Sequence, residues 1–143
     1  MRVKVSTIRV KCRPWGHQFE FPILSDSSYG EFIYSNQNGK SYTYFNGINN
    51  NAWDFVQETI SFNGKRIKDY GKTIQKIIGL IADKKEPTET FQNERIICPV
   101  CGRNAWHVYR DNVVGFIELE EMSFKRFEQL NLNERKREIE ELI

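Results

Sequence analysis

Two cysteines separated by two residues, in the run Cys98-Pro99-Val100-Cys101-Gly102, are the residues of this chain best suited to chemistry. Two thiolates at this spacing in a tight turn bind a single Zn²⁺, because the backbone N–H groups of the turn point at the sulfurs. The glycine that follows permits the positive φ that such a turn requires. One such turn supplies half of a tetrahedral site, so the other ligands must come from elsewhere in the chain.

The third cysteine of the chain lies in a comparable run near the N-terminus, Cys12-Arg13-Pro14-Trp15-Gly16-His17. Strand-like patterns flank this run, as they flank residues 98–102. We therefore predict that the two runs form paired turns, called here the first knuckle (residues 12–17) and the second knuckle (residues 98–102), and that both contribute to one zinc site.

The sequence from Val10 to Phe21 resembles the Cys-x-x-Cys-Gly-His-x-Phe-Glu opening of small bacterial two-knuckle zinc-ribbon proteins of the CpXC and regulatory zinc-ribbon types. The second knuckle matches the pattern of that family fully. In the first knuckle, Trp15 stands where the family has its second cysteine. The resemblance covers the two knuckles and does not extend to residues 25–91. It implies a zinc-ribbon hairpin core with a structural zinc ion.

The fourth ligand has three candidates, because Trp15 replaces a cysteine. His17 lies two residues beyond Trp15, and its longer side chain can reach the vacant position to give a Cys₃His set. His107 is the competitor, but it lies on the strand that leaves the second knuckle, where side chains usually point away from the metal. Water is the third candidate. The predicted metal ligands are thus Cys12, His17, Cys98 and Cys101.

Two interpretations without zinc compete with this one. The site has lost its metal in the first, and Cys12 is then a small buried hydrophobic residue. In the second, Cys98 and Cys101 form a redox pair, although such pairs generally open a helix in a βαβ unit. A closed four-ligand zinc site is structural, because catalysis needs an open coordination position. We therefore expect a non-catalytic protein, with a metal-dependent enzyme that has an open zinc site as an alternative.

The elements that must position the knuckles begin with a β-hairpin. Alternating apolar residues predict a strand over residues 2–12, with a bulge where the alternation shifts at Ser6-Thr7. Phe19, Phe21 and Ile23 predict a second strand with one apolar face. Residues 31–35 and 40–45 predict another hairpin, with Asn38-Gly39 in a type I′ turn. That turn pairs Ile33 with Tyr44, Ser35 with Tyr42 and Phe32 with Phe45.

Helical patterns follow in two regions of the chain. Residues 52–60 predict a short helix that ends at Gly64, and residues 66–82 predict a longer one with isoleucines on one face. Strands are predicted over residues 95–98, 105–109 and 113–119. Two C-terminal helices follow, with Ser123 and Asn133 as N-caps. The predicted fold class is α+β. We expect one domain over residues 1–143, with ribbon halves 1–24 and 92–119, an insertion 25–91 and C-terminal helices 120–143.

Charge and aromatic content indicate the partners. The 143-residue chain has 39% hydrophobic residues and a net charge of +2, so any attraction to nucleic acid must come from a local patch. Residues 64–85 contain seven basic residues against two acidic ones, and they give a nucleic-acid-binding alternative, although a solvated helix face is the favoured interpretation. Its candidate residues are Lys65, Lys68, Lys72 and Lys76. The aromatic hairpin at residues 30–45 is interpreted chiefly as core.

A protein partner or homodimer is the favoured binding mode, through the insertion or the C-terminal helices. No run approaches the roughly 20 apolar residues that cross a bilayer, and the N-terminus lacks a signal-peptide pattern. Three cysteines are an odd number, which fits a disulfide framework poorly. We therefore expect a soluble cytoplasmic protein with no membrane partner.

Overall fold

The computed structural model describes residues 1–25, 28–104 and 112–143. These residues form six strands and four helices, and both sheets are antiparallel, so the α+β prediction is confirmed. The chain divides into two compact units. The β unit contains Met1–Asn46 and Phe91–Glu121, and the helical unit contains Gly47–Thr90 and Met122–Ile143. The hairpin at residues 31–46 therefore belongs to the same unit as both knuckles.

The β unit contains two three-stranded sheets. Their strands are β1 (Arg2–Lys11), β2 (Gln18–Ile23), β3 (Glu31–Asn36), β4 (Tyr42–Asn46), β5 (Phe91–Gln92) and β6 (Gly115–Glu120). The first sheet has the order β2-β1-β6 and the second the order β4-β3-β5. Pro22 fits in β2 because that strand lies at the edge of its sheet, where a missing N–H is tolerated.

Strand β1 changes its buried face midway, and this explains the shift of its apolar pattern. Its registers with β2 and β6 are continuous through Ser6 and Thr7, so the predicted bulge is wrong. Val5 is buried against Leu119 and Tyr44 on one face. On the opposite face the apolar residues that lead to the first knuckle are buried, namely Ile8, Val10 and Cys12. The half-buried Phe19 and Phe21 of β2 pack against them.

The hairpin of β3 and β4 has the predicted register, with all three expected pairs present. The type I′ turn is wrong, because only Gly39 has a positive φ, of 72°, and Asn38 does not. The loop is instead organised by Asn36. Its side-chain oxygen accepts hydrogen bonds from the N–H groups of Lys40 and Ser41, at 3.1 and 3.2 Å. Tyr34, Tyr44 and Phe45 of this hairpin are buried, as the core interpretation predicted.

The helical unit contains α1 (Asn51–Asn63) and α2 (Tyr70–Ile81). Helix α1 ends at Gly64 as predicted, with φ 78° at that residue. Helix α2 begins at Tyr70 and not at residue 66, because Asp69 caps it. The Asp69 side chain accepts a hydrogen bond from the N–H of Lys72 at 3.2 Å, and its own backbone is extended. Ile74, Ile77, Ile78 and Ile81 form the buried face of α2.

The two C-terminal helices are α3 (Lys125–Gln129) and α4 (Leu132–Leu142), and neither predicted cap is found. Helix α3 is capped by Asp83, whose carboxylate accepts hydrogen bonds from the Ser123 hydroxyl and from two N–H groups of the first turn. Helix α4 is capped by Asn131 in a capping box with Glu134, so Asn133 lies inside the helix. Asn131 takes this role because its glutamate partner lies three residues later.

The predicted strand over residues 95–98 is reduced to one bridge between Ile97 and Asn104, and regular pairing in this region lies earlier, at β5. The predicted strand over residues 105–109 lies outside the described residues. Within the parts of the chain that the structure covers, no helix combines the length and apolarity needed to cross a bilayer.

Candidate metal centre

The first knuckle connects the end of β1 to the start of β2. The N–H of Cys12 donates a hydrogen bond to the carbonyl of His17, and the N–H of Gly16 donates to the carbonyl of Cys12, each at 2.7 Å. Gly16 has φ 70°, a conformation that favours glycine. The turn thereby places Cys12 and His17 side by side at its base.

The second knuckle has the same backbone pattern. The N–H of Cys98 donates to the carbonyl of Arg103, and the N–H of Gly102 donates to the carbonyl of Cys98, each at 2.8 Å. Gly102 has φ 72°. Position by position, Trp15 of the first knuckle therefore corresponds to Cys101 of the second, as the sequence comparison indicated.

Four side chains from the two knuckles converge on one point. The sulfurs of Cys12 and Cys101 lie 3.5 Å apart, and the sulfur of Cys98 lies 3.6 Å from Nδ1 of His17. All four ligand atoms lie within 4.8 Å of one another. These residues form a cluster that can hold a metal ion.

The dimensions of the cluster fit a tetrahedral metal site. Metal–sulfur distances of about 2.3 Å and metal–nitrogen distances of about 2.0–2.1 Å imply tetrahedron edges of about 3.8 Å between sulfurs and about 3.6 Å between sulfur and nitrogen. The two contacts given above, 3.5 and 3.6 Å, are close to these edges. All three cysteines are free thiols, so no disulfide competes for these sulfurs.

Buried apolar side chains of the β unit hold the cluster of cysteines and histidine in place. Cys12 and Cys98 are 0% exposed and share one core cluster with Ile8 and Val10. Cys101 is partly exposed and packs against the edge of that cluster. The site therefore has two fully buried thiols and one that reaches the surface.

The second knuckle also rests on the β3–β4 loop. A Cβ atom added to Gly39 would lie only 2.4 Å from the carbonyl oxygen of Ile97, the residue before Cys98. No side chain fits between these two backbone segments. The close approach at Gly39 therefore helps to set the position from which Cys98 enters the cluster.

Electrostatics differ among the thiols. Burial raises the pKa of Cys12, although a hydrogen bond from the N–H of Trp15 opposes the effect. The backbone N–H of Arg103 lowers the pKa of Cys101, against the opposing effect of burial. Burial, with the nearby Cys98, raises the pKa of Tyr42 to about 12, so its phenol stays neutral beside the cluster. A divalent cation at the centre favours the thiolate form of the coordinating cysteines.

Trp15 lies at the outer surface of the site. Its side chain is 63% exposed, and the guanidinium of Arg103 lies over its ring at 5.9 Å from the ring centre. The indole is thus held by the cation that follows the second knuckle and not by burial in the core.

A cleft of about 380 Å³ opens elsewhere in the β unit, and none of the four clustered residues lines it. Its walls are largely apolar. The lining includes Phe21, Ile23, Ile33, Tyr42, Arg95 and Ile96. The cleft therefore does not lead to the clustered sulfurs and imidazole.

The structure places the predicted site residues as follows. Cys12, His17, Cys98 and Cys101 come together, whereas His107 lies outside the described residues. The four predicted basic residues are exposed, but they do not form one helical stripe, because α2 begins after Asp69. Only two of them lie on α2. These are Lys72 and Lys76, while Lys65 and Lys68 precede the helix.

Sequence reasoning missed two residues of this region. Arg103 follows the second knuckle and carried no recognisable signal for its contact with Trp15. Gly39 was assigned to a hairpin turn, and nothing in the sequence indicates that its loop approaches Ile97. Comparison of the chain with protein-family models, with curated proteins and with solved structures finds no match.

Proposed function

We propose that this protein binds one structural Zn²⁺ through Cys12, His17, Cys98 and Cys101, and that it works as a non-catalytic interaction module. The observation that carries the proposal is the convergence of four ligand atoms within 4.8 Å from two turns that are distant in sequence. Zinc is the preferred ion because three thiolates and one imidazole in a tetrahedral arrangement suit it better than they suit Mg²⁺ or Ca²⁺.

The zinc would act on the fold. It would tie residues 12–17 to residues 98–101. The free energy of metal binding would then offset the loss of chain entropy that comes with closing so long a loop. We propose a cytoplasmic location, because cysteines that are not in disulfides are kept reduced there. The matching hydrogen-bond patterns of the two knuckles support the zinc-ribbon resemblance.

Two observations favour a structural site over an enzyme with an open zinc. With His17 as the fourth ligand, the coordination sphere is closed, and no position remains for a substrate or a catalytic water. The cleft of the β unit is lined by none of the four ligands. A zinc site with an open coordination position, as an enzyme needs, is expected only if His17 does not bind the metal.

The interaction role is proposed for the insertion and the C-terminal helices. The aromatic hairpin is expected to contribute less to it, because Tyr34, Tyr44 and Phe45 are buried and Phe32 and Tyr42 are half-buried. Large exposed apolar side chains lie instead on helices of the helical unit, with Phe62 88% exposed and Leu132 56% exposed. We propose that a protein partner or a second copy of the chain covers such residues.

Metal analysis of the purified protein tests the zinc site. We expect one equivalent of zinc per chain, and loss of most of it in Cys98→Ser. Replacement by Co²⁺ should give the intense visible absorption of a tetrahedral site and a thiolate charge-transfer band that weakens with each Cys→Ser change. A six-coordinate cobalt spectrum, or a full zinc content in Cys98→Ser, would contradict the proposal.

A concentration series tests the interaction role. Light scattering of the zinc-loaded protein should show a mass that increases with concentration, or a protein partner should co-purify. The paired substitutions Phe62→Ser and Leu132→Ser should abolish the association and leave the zinc content unchanged. A monomer at all concentrations, with no co-purifying protein, would refute this part of the proposal.

A further inference from the structure

The outer ends of the two knuckles form a surface that the structural zinc site does not explain. This surface, called here the knuckle tip, combines an exposed indole with exposed cations: Lys11, Arg13, Trp15, Val100 and Arg103. Trp15 is 63% exposed and Val100 is 67% exposed. An exposed tryptophan at the end of a rigid turn, away from the core, is placed for contact with a ligand.

The charge of the knuckle tip has one sign. Residues 11–18 and 98–104 contain lysine and arginine at three positions and no aspartate or glutamate. Three thiolates and one Zn²⁺ carry a net charge of −1, so the three cations leave this region with a net charge of +2. Counted in the same way, with the thiolates and the zinc ion included, the whole chain carries a net charge of +1, so positive charge is concentrated in this region. The tip therefore attracts anions locally.

The surroundings of Trp15 indicate which class of anion the knuckle tip would bind. Arg103 approaches one face of the indole at 5.9 Å from the ring centre, and the ring remains largely exposed. The Cε atom of Lys11 lies close to Gly16, 3.5 Å from where a Cβ would stand, so the lysine chain follows the same turn. An aromatic ring beside cations can stack on an unpaired base while the cations contact the adjoining phosphates.

We propose that the knuckle tip binds single-stranded nucleic acid, with Trp15 stacking on a base and with Lys11, Arg13 and Arg103 contacting phosphates. This goes beyond the proposed function and rests on it in one respect, since the zinc ion holds the two knuckles together. A duplex fits less well, because its bases are already stacked and are not available to the indole. An acidic protein segment would use the cations but not the stacking face.

The surface differs from the basic region predicted from the sequence. Lys72 and Lys76 lie on α2 in the helical unit, while the knuckle tip belongs to the β unit. The nearest large exposed aromatic residue to them in sequence is Tyr70, whose hydroxyl donates a hydrogen bond to the carbonyl of Gln57 at 2.8 Å. Substitution of Lys72 and Lys76 therefore provides a control that removes two cations from a different surface.

The test is fluorescence anisotropy of labelled 15-nucleotide oligo-dT and oligo-rU with the zinc-loaded full chain. We expect a Kd on the order of 10⁻⁵ M at low salt. The plot of log K against log salt should have a slope of about −2, because three phosphate contacts each contribute about −0.7 on a single strand. A labelled 15-base-pair duplex should bind about tenfold more weakly. Equal binding of duplex and single strand would overturn the proposal.

Three variants separate stacking on Trp15 from binding to the basic residues of α2. Trp15→Ala should weaken binding at least tenfold, while Trp15→Phe keeps an aromatic face and should stay within about threefold of the wild type. The double variant Lys72→Ala/Lys76→Ala should bind like the wild type. If that double variant loses binding and Trp15→Ala does not, the proposal is wrong and the site lies on α2.

The zinc content of each variant separates this proposal from the proposed function. A Trp15→Ala protein with one zinc and weakened oligonucleotide binding supports the inference. A wild-type protein with one zinc and no oligonucleotide binding overturns the inference and leaves the zinc site standing. A wild-type protein that binds no zinc overturns the proposed function, and Trp15-dependent binding by that protein would still support the knuckle tip as a nucleic-acid surface.

Discussion

Replacing Gly39 by alanine tests how the β3–β4 loop supports the second knuckle. Gly39 has φ 72°, and an added Cβ would lie 2.4 Å from the carbonyl oxygen of Ile97 and 3.0 Å from its carbonyl carbon. Ordinary carbon–oxygen contacts are about 3.3–3.6 Å. These two atoms belong to the backbone, and the third close atom, Cβ of Ile97 at 3.1 Å, is bonded directly to it, so no side-chain rotation can relieve the overlap. The two segments must move apart by about 1 Å.

The expected loss of stability has two parts. An L-residue in the left-handed region costs about 1–2 kcal/mol. Forcing apart a close contact in a packed region costs about 1–3 kcal/mol more. The free energy of unfolding of Gly39→Ala should therefore fall by about 2–5 kcal/mol. Because Ile97 precedes Cys98, the same displacement should weaken zinc binding by about tenfold, or ~1.4 kcal/mol.

Gly102→Ala is the matched control. Gly102 also has φ 72° and follows the second knuckle, but no atom lies within 4 Å of its added Cβ. Its substitution should cost only the conformational part, about 1–2 kcal/mol. The difference between the two variants therefore isolates the contact between Gly39 and Ile97.

Urea unfolding of the zinc-loaded proteins measures the stability, and competition with a chelator of known affinity measures the zinc binding. Equal destabilisation of Gly39→Ala and Gly102→Ala would show that the contact with Ile97 has no energetic weight. An unchanged zinc affinity in Gly39→Ala would show that the loop does not position Cys98.

Three further predictions concern the metal and the helical unit. His17→Ala should raise the zinc Kd about 100-fold, because one of four ligands that together contribute about 10–16 kcal/mol is replaced by water. Competition with a chelator of known affinity measures this Kd. A larger loss of zinc affinity in His107→Ala than in His17→Ala would make His107 the ligand. Chelation of zinc should lower the melting temperature of the wild type, and an unchanged calorimetric scan would contradict a structural role. Asp83→Ala should cost about 1 kcal/mol at neutral pH, since it removes the cap of α3. Burial alone would raise the pKa of Asp83, but hydrogen bonds from Ser123 and two backbone N–H groups lower it below its usual 3.8. The stability advantage of the wild type over Asp83→Ala is therefore present above that pH and is lost as the pH falls through the folded-state pKa. A difference in the free energy of urea unfolding that does not depend on pH would refute this account.

Local patterns predicted much of the fold. Alternation of apolar residues located β1 and β2, and the symmetric placement of Asn38-Gly39 between two apolar runs predicted the register of β3 and β4, with Ile33 opposite Tyr44. The register survived although the turn type was wrong, because the observed loop between Asn36 and Ser41 is centred on the same two residues as the predicted turn, and loop length and centre set the register of a hairpin. Gly64 likewise ended α1, since a left-handed residue closes a helix locally.

The start of α3 and the change of buried face in β1 depend on contacts between residues that are distant in sequence. Ser123 is a good N-cap by type, yet Asp83 caps α3 from another part of the chain. The shift of pattern at Ser6-Thr7 is compatible with a bulge and with a strand covered on opposite faces in its two halves. The neighbouring strands β2 and β6 decide between these alternatives, and no local signal does.

The sequence by itself determined which residue types could bind a metal and which turns could present them, because a knuckle is built from a few consecutive residues and its glycine. It also singled out Trp15 as the residue of the first knuckle that corresponds in position to Cys101 of the second. Only the tertiary structure decided that the two knuckles meet, that His17 lies beside the three cysteines, and that Arg103 lies over Trp15. These are contacts between segments more than 80 residues apart, as between Cys12 and Cys101, and their geometry is set by the packing of strands and loops.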